Sequence, residues 1–135
     1  MQPANNILGL DVGERRIGLA VVSDGVAVPR SLPALSNDET FKSKLQSLIN
    51  EKDITKIIVG LPRNLNGDET PQTATVRQFV DDLFKDIDIP MEFKDEALTS
   101  AIAEDILKAG DNSYEKGEID SLAACHILLD YLNGV

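Results

Sequence analysis

The sequence predicts an α/β fold, a mixed five-stranded sheet with helices on its faces. Three strand-like segments come first, and strands then alternate with helical segments. Strands joined by short turns pair antiparallel, whereas strands joined by helices pair in parallel, so three antiparallel strands should be followed by β/α alternation. The chain has 135 residues, of which 42% are hydrophobic. That size and composition predict a single domain over residues 1–135.

The first three predicted strands occupy the N-terminal third of the chain. Residues 7–11 and 17–24 are short runs rich in Ile, Leu and Val, joined by the polar turn VGERR. This pattern is typical of a β-hairpin. A third extended segment over 26–35 contains Pro29 and Pro33. Proline cannot donate to a strand ladder, which favours an edge position for this segment.

The rest of the chain predicts alternating helices and strands. Apolar residues at helical spacing predict a helix over 38–52, with Asn37 or Asp38 as its cap. The unalternated run KIIVGLP (56–62) is typical of a strand buried on both faces. Pro71 suits the first turn of the next helix. The remaining predicted elements are a helix over 73–85, a strand over 91–95, a helix over 99–109 ended by Gly110, and a helix over 119–132.

The charge is strongly negative and unevenly distributed. The formal net charge is −10; residues 1–63 carry 8 basic and 7 acidic side chains, and residues 64–135 carry 5 and 16. Neutralisation of phosphates supplies most non-specific affinity for nucleic acid, so the negative charge argues against a broad basic binding face. Any phosphate-facing surface is expected to use Arg15, Arg16, Arg30 and Arg63.

Other classes of protein find little support in the sequence. It lacks an apolar run of about 18 residues and a secretory signal pattern at its N-terminus, which predicts a cytoplasmic protein without a membrane partner. Cys125 is the only cysteine, so an intramolecular disulfide and a cysteine-based zinc cluster are excluded. Neither a P-loop nor a dinucleotide-binding fingerprint is present.

Acidic residues stand at the ends of predicted elements in three places. Asp11 ends an apolar strand, and Gly13 leaves room for the backbone to turn close to a ligand. Asp95 and Glu96 end another strand, where period-2 geometry places Asp95 with the apolar side chains of that strand. Asp120 begins the last helix. If these carboxylates converge, either their pKa values rise or a divalent cation offsets their charge.

The chemistry of such a group of carboxylates is that of a metal-dependent nuclease. Oxygen ligands suit Mg²⁺ or Mn²⁺ better than zinc. Two such ions, about 4 Å apart, activate water and stabilise the leaving oxygen of a phosphodiester. Simpler roles stay open: Asp11 as a turn residue, Asp95 or Glu96 as a helix N-cap, Asp120 as a partner of its helix dipole, and Arg15 and Arg16 as a solvated turn.

Four segments together resemble a known family. They are LGLDVGERRIGLAVVSD (8–24), IIVGLPRNLNGDETPQ (57–72), DEALTSAIAEDIL (95–107) and EIDSLAACHILLDYL (118–132). In this order they resemble the YqgF (RuvX-like) family of bacterial proteins, described as Holliday-junction resolvases and as pre-16S rRNA nucleases. The resemblance covers about residues 7–133. It implies a ribonuclease H-like fold.

The resemblance also implies one shared site. Asp11 matches the aspartate of the family's DxG motif, Asp95 and Glu96 its acidic pair, and Asp120 the aspartate that opens the last helix. Glu96 is favoured as the metal ligand, with Asp11 and Asp120, because it is similar to the strand-end glutamate of related resolvases; the periodicity mildly favours Asp95. Ala97 stands where the family usually has arginine, which implies weaker substrate binding or activity.

Two loops are candidates for substrate binding. The first is the hairpin turn, and the second matches the family's GLP-containing loop. The candidate substrate-binding residues are Gly13, Arg15, Arg16, Arg63, Asn64, Gly67 and Gln72.

The leading hypothesis is a nuclease that uses two Mg²⁺ or Mn²⁺ ions on structured RNA, in the 5′ region of precursor 16S rRNA, with ribosomal particles as further partners. One alternative is resolution of four-way DNA junctions, whose two-fold symmetry favours a dimer. RNA trimming needs one site, so a monomer or weak dimer suffices. Another alternative is a catalytically silent module that binds nucleic acid or the ribosome.

Overall fold

The computed structural model describes residues 5–23, 25, 28–96 and 116–134, with the side chains of the last segment from Ser121 onward. The strands are β1 (Asn6–Val12), β2 (Arg16–Ser23), β3 (Arg30–Ser36), β4 (Ile54–Pro62) and β5 (Met91–Glu96). The helices are α1 (Phe41–Glu51), α2 (Pro71–Leu83) and α3 (Lys116–Asn133). Within these ranges, no helix combines the length and the hydropathy that a bilayer crossing requires.

The five strands form one sheet in the order β3-β2-β1-β4-β5. β2 pairs antiparallel with β1 and β3, whereas β4 pairs in parallel with β1 and β5. The predicted mixed sheet, with its initial antiparallel strands and its β/α alternation, is confirmed. β3, which contains Pro33, lies at an edge, as its proline predicts.

The sheet is covered on both faces. The first face packs against α1 and α2, and we call it the two-helix face; the second packs against α3, and we call it the α3 face. The core of the two-helix face includes Leu8, Leu10, Val12, Phe41, Leu45, Val59 and Val76. The core of the α3 face includes Ala20, Ile58, Ala124, Ile127 and Leu128.

Glycines in two strands allow α3 to lie close to the sheet. A Cβ atom on Gly9 of β1 would lie 2.7 Å from Cγ of Leu128, and one on Gly60 of β4 would clash with Ile127. Both contacts are shorter than side chains tolerate. The small residues therefore fix the position of α3 across the middle of the sheet.

The beginning of α1 differs from the sequence prediction. The helix begins at Phe41, three residues after the predicted start, because neither Asn37 nor Asp38 caps it. Asp38 instead accepts hydrogen bonds from the side chain and the backbone N–H of Thr40, which lower its pKa. Asn37 uses its amide to bind a distant loop: Nδ2 donates to the carbonyl oxygen of Gly13 over 2.8 Å.

The second helix, α2, begins earlier than the sequence predicts. The helix begins at Pro71, two residues before the predicted start, and Thr70 is its N-cap. Thr70 and Thr73 form a reciprocal capping box, in which the N–H of each residue donates to the side-chain oxygen of the other. The prediction for Pro71 is confirmed. The helix predicted over 99–109 lies outside the described residues.

Candidate active site

Three parallel strands end at the same edge of the sheet. Because β1, β4 and β5 run in the same direction, their carboxyl ends lie together. β1 ends at Val12, just after Asp11, and β4 ends at Pro62, which pairs with Glu96 at the end of β5. The edge formed by these three ends, which we call the carboxyl edge, therefore carries two of the predicted acidic positions.

Strand alternation determines which face each acidic side chain occupies. Leu10 of β1 and Phe93 of β5 both pack in the core of the two-helix face. Asp11 is one residue after Leu10, and Glu96 is three residues after Phe93, so both project from the opposite, α3 face. Asp11 and Glu96 are each half-buried. The structure thus brings these two acids to the same face and the same edge.

Contacts nearer the start of β5 agree that Glu96 lies on the α3 face. Lys56 of β4 donates a 2.8 Å hydrogen bond to the hydroxyl of Tyr131 in α3 and forms a 3.0 Å ion pair with Glu92. The bond to Tyr131, followed by the one to Glu92, raises the pKa of Lys56. Glu92 is four residues before Glu96 and shares its side of β5. Glu96 therefore belongs to the face that α3 covers.

Asp95 lies on the other face of the sheet. Its carboxylate forms a 3.0 Å ion pair with Nε of Arg63, and its side chain is 64% exposed. The apolar side of β5, with which the sequence pattern groups Asp95, is the two-helix face, opposite to Asp11. The periodicity mildly favours Asp95 as the ligand, but in the structure it is Glu96 that shares the face of Asp11.

The turn after Asp11 is tightly built around glycine. The N–H of Gly13 donates to the carbonyl of Arg16 over 3.0 Å, and a Cβ atom at Gly13 would lie 2.5 Å from that oxygen. The backbone N–H of Asn37 also donates to the carbonyl of Arg15 over 2.9 Å. Asn37 thus donates two hydrogen bonds that hold the turn, one to Gly13 and one to Arg15. The sequence pattern does not reveal this role.

α3 begins at Lys116, three residues before the predicted start, so Asp120 lies in the second turn of the helix and does not begin it. Its side chain is outside the described atoms. The neighbouring Ser121 is buried; its hydroxyl donates to the carbonyl of Leu32 and accepts a 3.4 Å hydrogen bond from the N–H of Leu19. Leu19 pairs with Leu10 in the sheet. The backbone of α3 at Ser121 therefore lies over β2, close to the level of Asp11.

The described side chains include two of the three predicted metal ligands. Among the described side chains, which exclude that of Asp120, no three acidic, histidine or cysteine groups are close enough to hold an ion together. Asp11 and Glu96 are two oxygen donors at one edge, and they suit a hard divalent cation.

The loop after β4 contains several of the predicted substrate-binding residues. Asn64 accepts hydrogen bonds at Oδ1 from the N–H groups of Asn66 and Asp68, at 3.0 and 2.9 Å. Arg63 donates from Nη1 to the carbonyl of Gly67 over 3.1 Å, and Gly67 has a φ of 82°. Arg63, Asn64 and Gly67 thus build the loop.

The remaining candidates divide between the carboxyl edge and the rest of the sheet. Arg15 is exposed in the turn after β1, and Arg16 begins β2 beside it. Gly13 and Gln72 line a cleft of about 480 Å³ between this turn and α2. Arg30 pairs with Val21 and lies toward the other end of the sheet, so the expectation that it joins the same phosphate-facing surface is not met.

Two relatives that share a name align with most of this chain. A protein of Chloroflexus aggregans named "Putative pre-16S rRNA nuclease" is 39% identical over 131 residues, covering 94% of this chain and 92% of its own. A protein of the same name from a Sulfurihydrogenibium species is 40% identical over 131 residues, covering 96% and 90%.

Two solved structures share the fold. RuvC of T. thermophilus in complex with a Holliday junction substrate superposes with a TM-score of 0.55 at 12% identity, covering 95% of this chain and 96% of its own. The fowlpox virus Holliday junction resolvase gives a TM-score of 0.57 at 11% identity, covering 96% and 98%. The predicted ribonuclease H-like fold is confirmed.

The family match spans nearly the same residues as the resemblance found in the sequence. Residues 5–134 match the family described as "RuvX: Holliday junction resolvase". The relatives at about 40% identity align along almost their whole length and support the same assignment. The protein belongs to the RuvX family.

Proposed function

We propose that this protein is a divalent-metal-dependent nuclease that hydrolyses phosphodiester bonds at the 5′ end of precursor 16S rRNA. The observation that carries the proposal is the placement of Asp11 and Glu96 on one face of the sheet at the carboxyl edge. Family membership and the names of the relatives support the same activity.

The donor set fits Mg²⁺ or Mn²⁺. Asp11 and Glu96 offer only oxygen atoms, and Asp120, in the first turns of α3, is the proposed third ligand. Two bound ions would supply activation of water and neutralisation of charge on the leaving oxygen. Histidine and cysteine are absent from this proposed ligand set, which disfavours zinc.

The protein's own groups would fix the ligands and receive the substrate. The hydrogen bonds that Asn37 and Arg16 make to the turn hold the backbone just beyond Asp11. Arg15 is exposed beside that turn and is the proposed phosphate contact. Arg63 is committed to Asp95 and Gly67, so we assign it to the loop's structure.

The direct test is cleavage of a precursor 16S rRNA fragment that extends across the 5′ mature end. We expect Mg²⁺ or Mn²⁺ to support cleavage, EDTA to abolish it, and the mature fragment to be left intact. Undiminished cleavage in EDTA would overturn metal dependence. No cleavage of the precursor under any metal condition would overturn the RNA substrate.

A second candidate is resolution of four-way DNA junctions, which the family's description favours. Such junctions have two-fold symmetry, so this activity favours a dimer that presents two sites. Sedimentation of the protein with and without a four-way junction separates the candidates. A dimer on the junction with symmetric nicking favours resolution, whereas a monomer in both conditions favours RNA processing.

A further inference from the structure

Leu65 is the most exposed large apolar side chain among the described residues. It lies in the loop between β4 and α2 and is 78% exposed. Two other large hydrophobic side chains among the described residues are also exposed, Val28 at 69% and Leu132 at 41%. Single exposed apolar residues are common and need no explanation by themselves. The surroundings of Leu65 distinguish it from the other two.

The loop that presents Leu65 is held by its own hydrogen bonds. The backbone N–H of Asn64 donates to the carbonyl of Asp68 over 3.0 Å, and that of Gly67 donates to the carbonyl of Asn64 over 2.9 Å. The side chain of Asn64 closes the same turn. The turn therefore holds Leu65 outward, and binding a ligand there requires little further ordering of the backbone.

The base of the loop is attached to the candidate active site. The backbone N–H of Arg63 donates to the carbonyl of Glu96 over 3.3 Å, which places Leu65 two residues from a contact with the proposed ligand residue. Val28 and Leu132 lie toward the opposite end of the sheet: β2 ends opposite Asn6, and α3 reaches Lys56 near its C-terminus. Leu65 is thus the exposed member of the three that borders the carboxyl edge.

The charge around Leu65 suits a base better than a phosphate. Residues 64–67 (NLNG) carry no charge. Arg63 and Asp68 flank this run. Arg63 is paired with Asp95 at 3.0 Å, and Glu69, beyond Asp68, is paired with Nε of Arg77 at 3.0 Å. The side chain of Leu65 has no donor for a phosphate oxygen, but it can pack on the face of a nucleobase. Proteins insert leucine between bases in this way when they separate a stack.

We propose that Leu65 is a specificity-determining wedge that packs against an unstacked base next to the cleaved phosphodiester. It would favour nucleic acids with a bulge, branch or frayed end over a continuous duplex. This inference rests on the proposed nuclease function. It adds that local unstacking of the substrate is part of what the site recognises.

The test measures binding to two RNAs of matched sequence, a continuous duplex and the same duplex with one bulged 2-aminopurine. All proteins carry Asp11→Asn to keep the RNA intact. We expect Leu65→Ala to weaken binding to the bulged RNA roughly tenfold, the effect of uncovering part of a leucine side chain. Binding to the duplex should change little, and Leu65→Phe should bind the bulged RNA at least as well as leucine.

Matched controls and a fluorescence measurement distinguish a wedge from a general loss of RNA affinity on removal of an exposed apolar side chain. Val28→Ala and Leu132→Ala remove the other exposed apolar side chains and should leave both affinities unchanged. The 2-aminopurine emission should change on binding of the protein with leucine at 65, and less with alanine. Equal losses on both RNAs, or none with Leu65→Ala, would overturn the wedge.

A cleavage arm, with Asp11 restored, makes the two proposals separable. Leu65→Ala should raise KM for the bulged substrate and leave kcat nearly unchanged. If the wild-type protein cleaves RNA but Leu65→Ala has no effect, the wedge fails and the nuclease stands. If nothing is cleaved but binding to the bulge still depends on Leu65, the nuclease fails and the wedge contact stands.

Discussion

Asp11 and Glu96 project from the same face of the sheet, although β4 lies between their strands. Their shared face follows from the strand registers: Leu10 lies beside Val59, and Val59 lies beside Phe93. Side chains alternate along a strand. Asp11 is one residue after Leu10 and Glu96 is three residues after Phe93, so both side chains lie on the face opposite to the two-helix face. This arrangement supports the proposal of Glu96 as a metal ligand and leaves Asp95 on the opposite face, paired with Arg63.

Glu96→Gln and Asp95→Asn should therefore have unequal effects. Loss of even an outer-shell partner of a metal typically costs about 10–100-fold in activity, so Glu96→Gln should reduce cleavage at least about 100-fold. Asp95→Asn removes an ion pair with Arg63 and should leave cleavage within a few fold. Single-turnover rates of the two purified variants provide the measurement. Equal losses would show that the face assignment is wrong.

Gly13→Ala should destabilise the turn after Asp11. The added Cβ would lie 2.5 Å from the carbonyl of Arg16, so the backbone must shift, at about 1–3 kcal/mol in unfolding free energy. Cleavage should fall as well. Gly67→Ala is the comparison, since its cost comes only from a φ of 82° and should be about 1 kcal/mol. Urea unfolding of both variants checks the order; a smaller loss for Gly13→Ala would contradict it.

Ser121→Ala should destabilise the protein without touching a candidate ligand. The hydroxyl is buried and connects α3 to both Leu19 and Leu32. Removing it takes away two hydrogen bonds, which we expect to cost about 1–3 kcal/mol. Thermal and urea unfolding give the value. Ser43→Ala, an exposed substitution in α1, is the control and should change the unfolding free energy by less than about 0.5 kcal/mol.

Cys125 should react slowly with thiol reagents at neutral pH. Burial raises the pKa of its thiol above the usual value, and the thiolate is the reactive form. The rate of modification by an aromatic disulfide should stay low near pH 8 and rise as the pH passes the usual thiol range. A fast reaction at pH 7 in the folded protein, with unfolding excluded by circular dichroism, would contradict the burial.

Much of the fold could be predicted because the local signals agree with the tertiary structure. The hairpin of β1 and β2 and the edge position of β3 follow from apolar runs, turns and Pro33. Asp11 was likewise evident as an acid at the end of an apolar strand. The four sequence segments also identified the family, because together they span nearly the whole chain.

The choice between Asp95 and Glu96 depended on information that a strand pattern does not contain. Alternation tells that the two side chains oppose each other, but not which helices cover which face. The role of Asn37 was missed for a related reason. Its position before a helix favours a cap, whereas its partner, Gly13, is 24 residues away in sequence. Contacts between distant segments supply this information: they place Glu96 on the face of Asp11 and join Asn37 to Gly13.

We propose above all that Asp11 supplies a metal ligand for phosphodiester hydrolysis. The most direct measurement compares wild type with Asp11→Asn in Mn²⁺ binding by calorimetry and in cleavage of the precursor 16S rRNA fragment. We predict that the variant folds normally, binds Mn²⁺ more weakly and loses cleavage. Equal Mn²⁺ affinity and equal turnover in purified wild type and variant would contradict the account and favour a catalytically silent binding module.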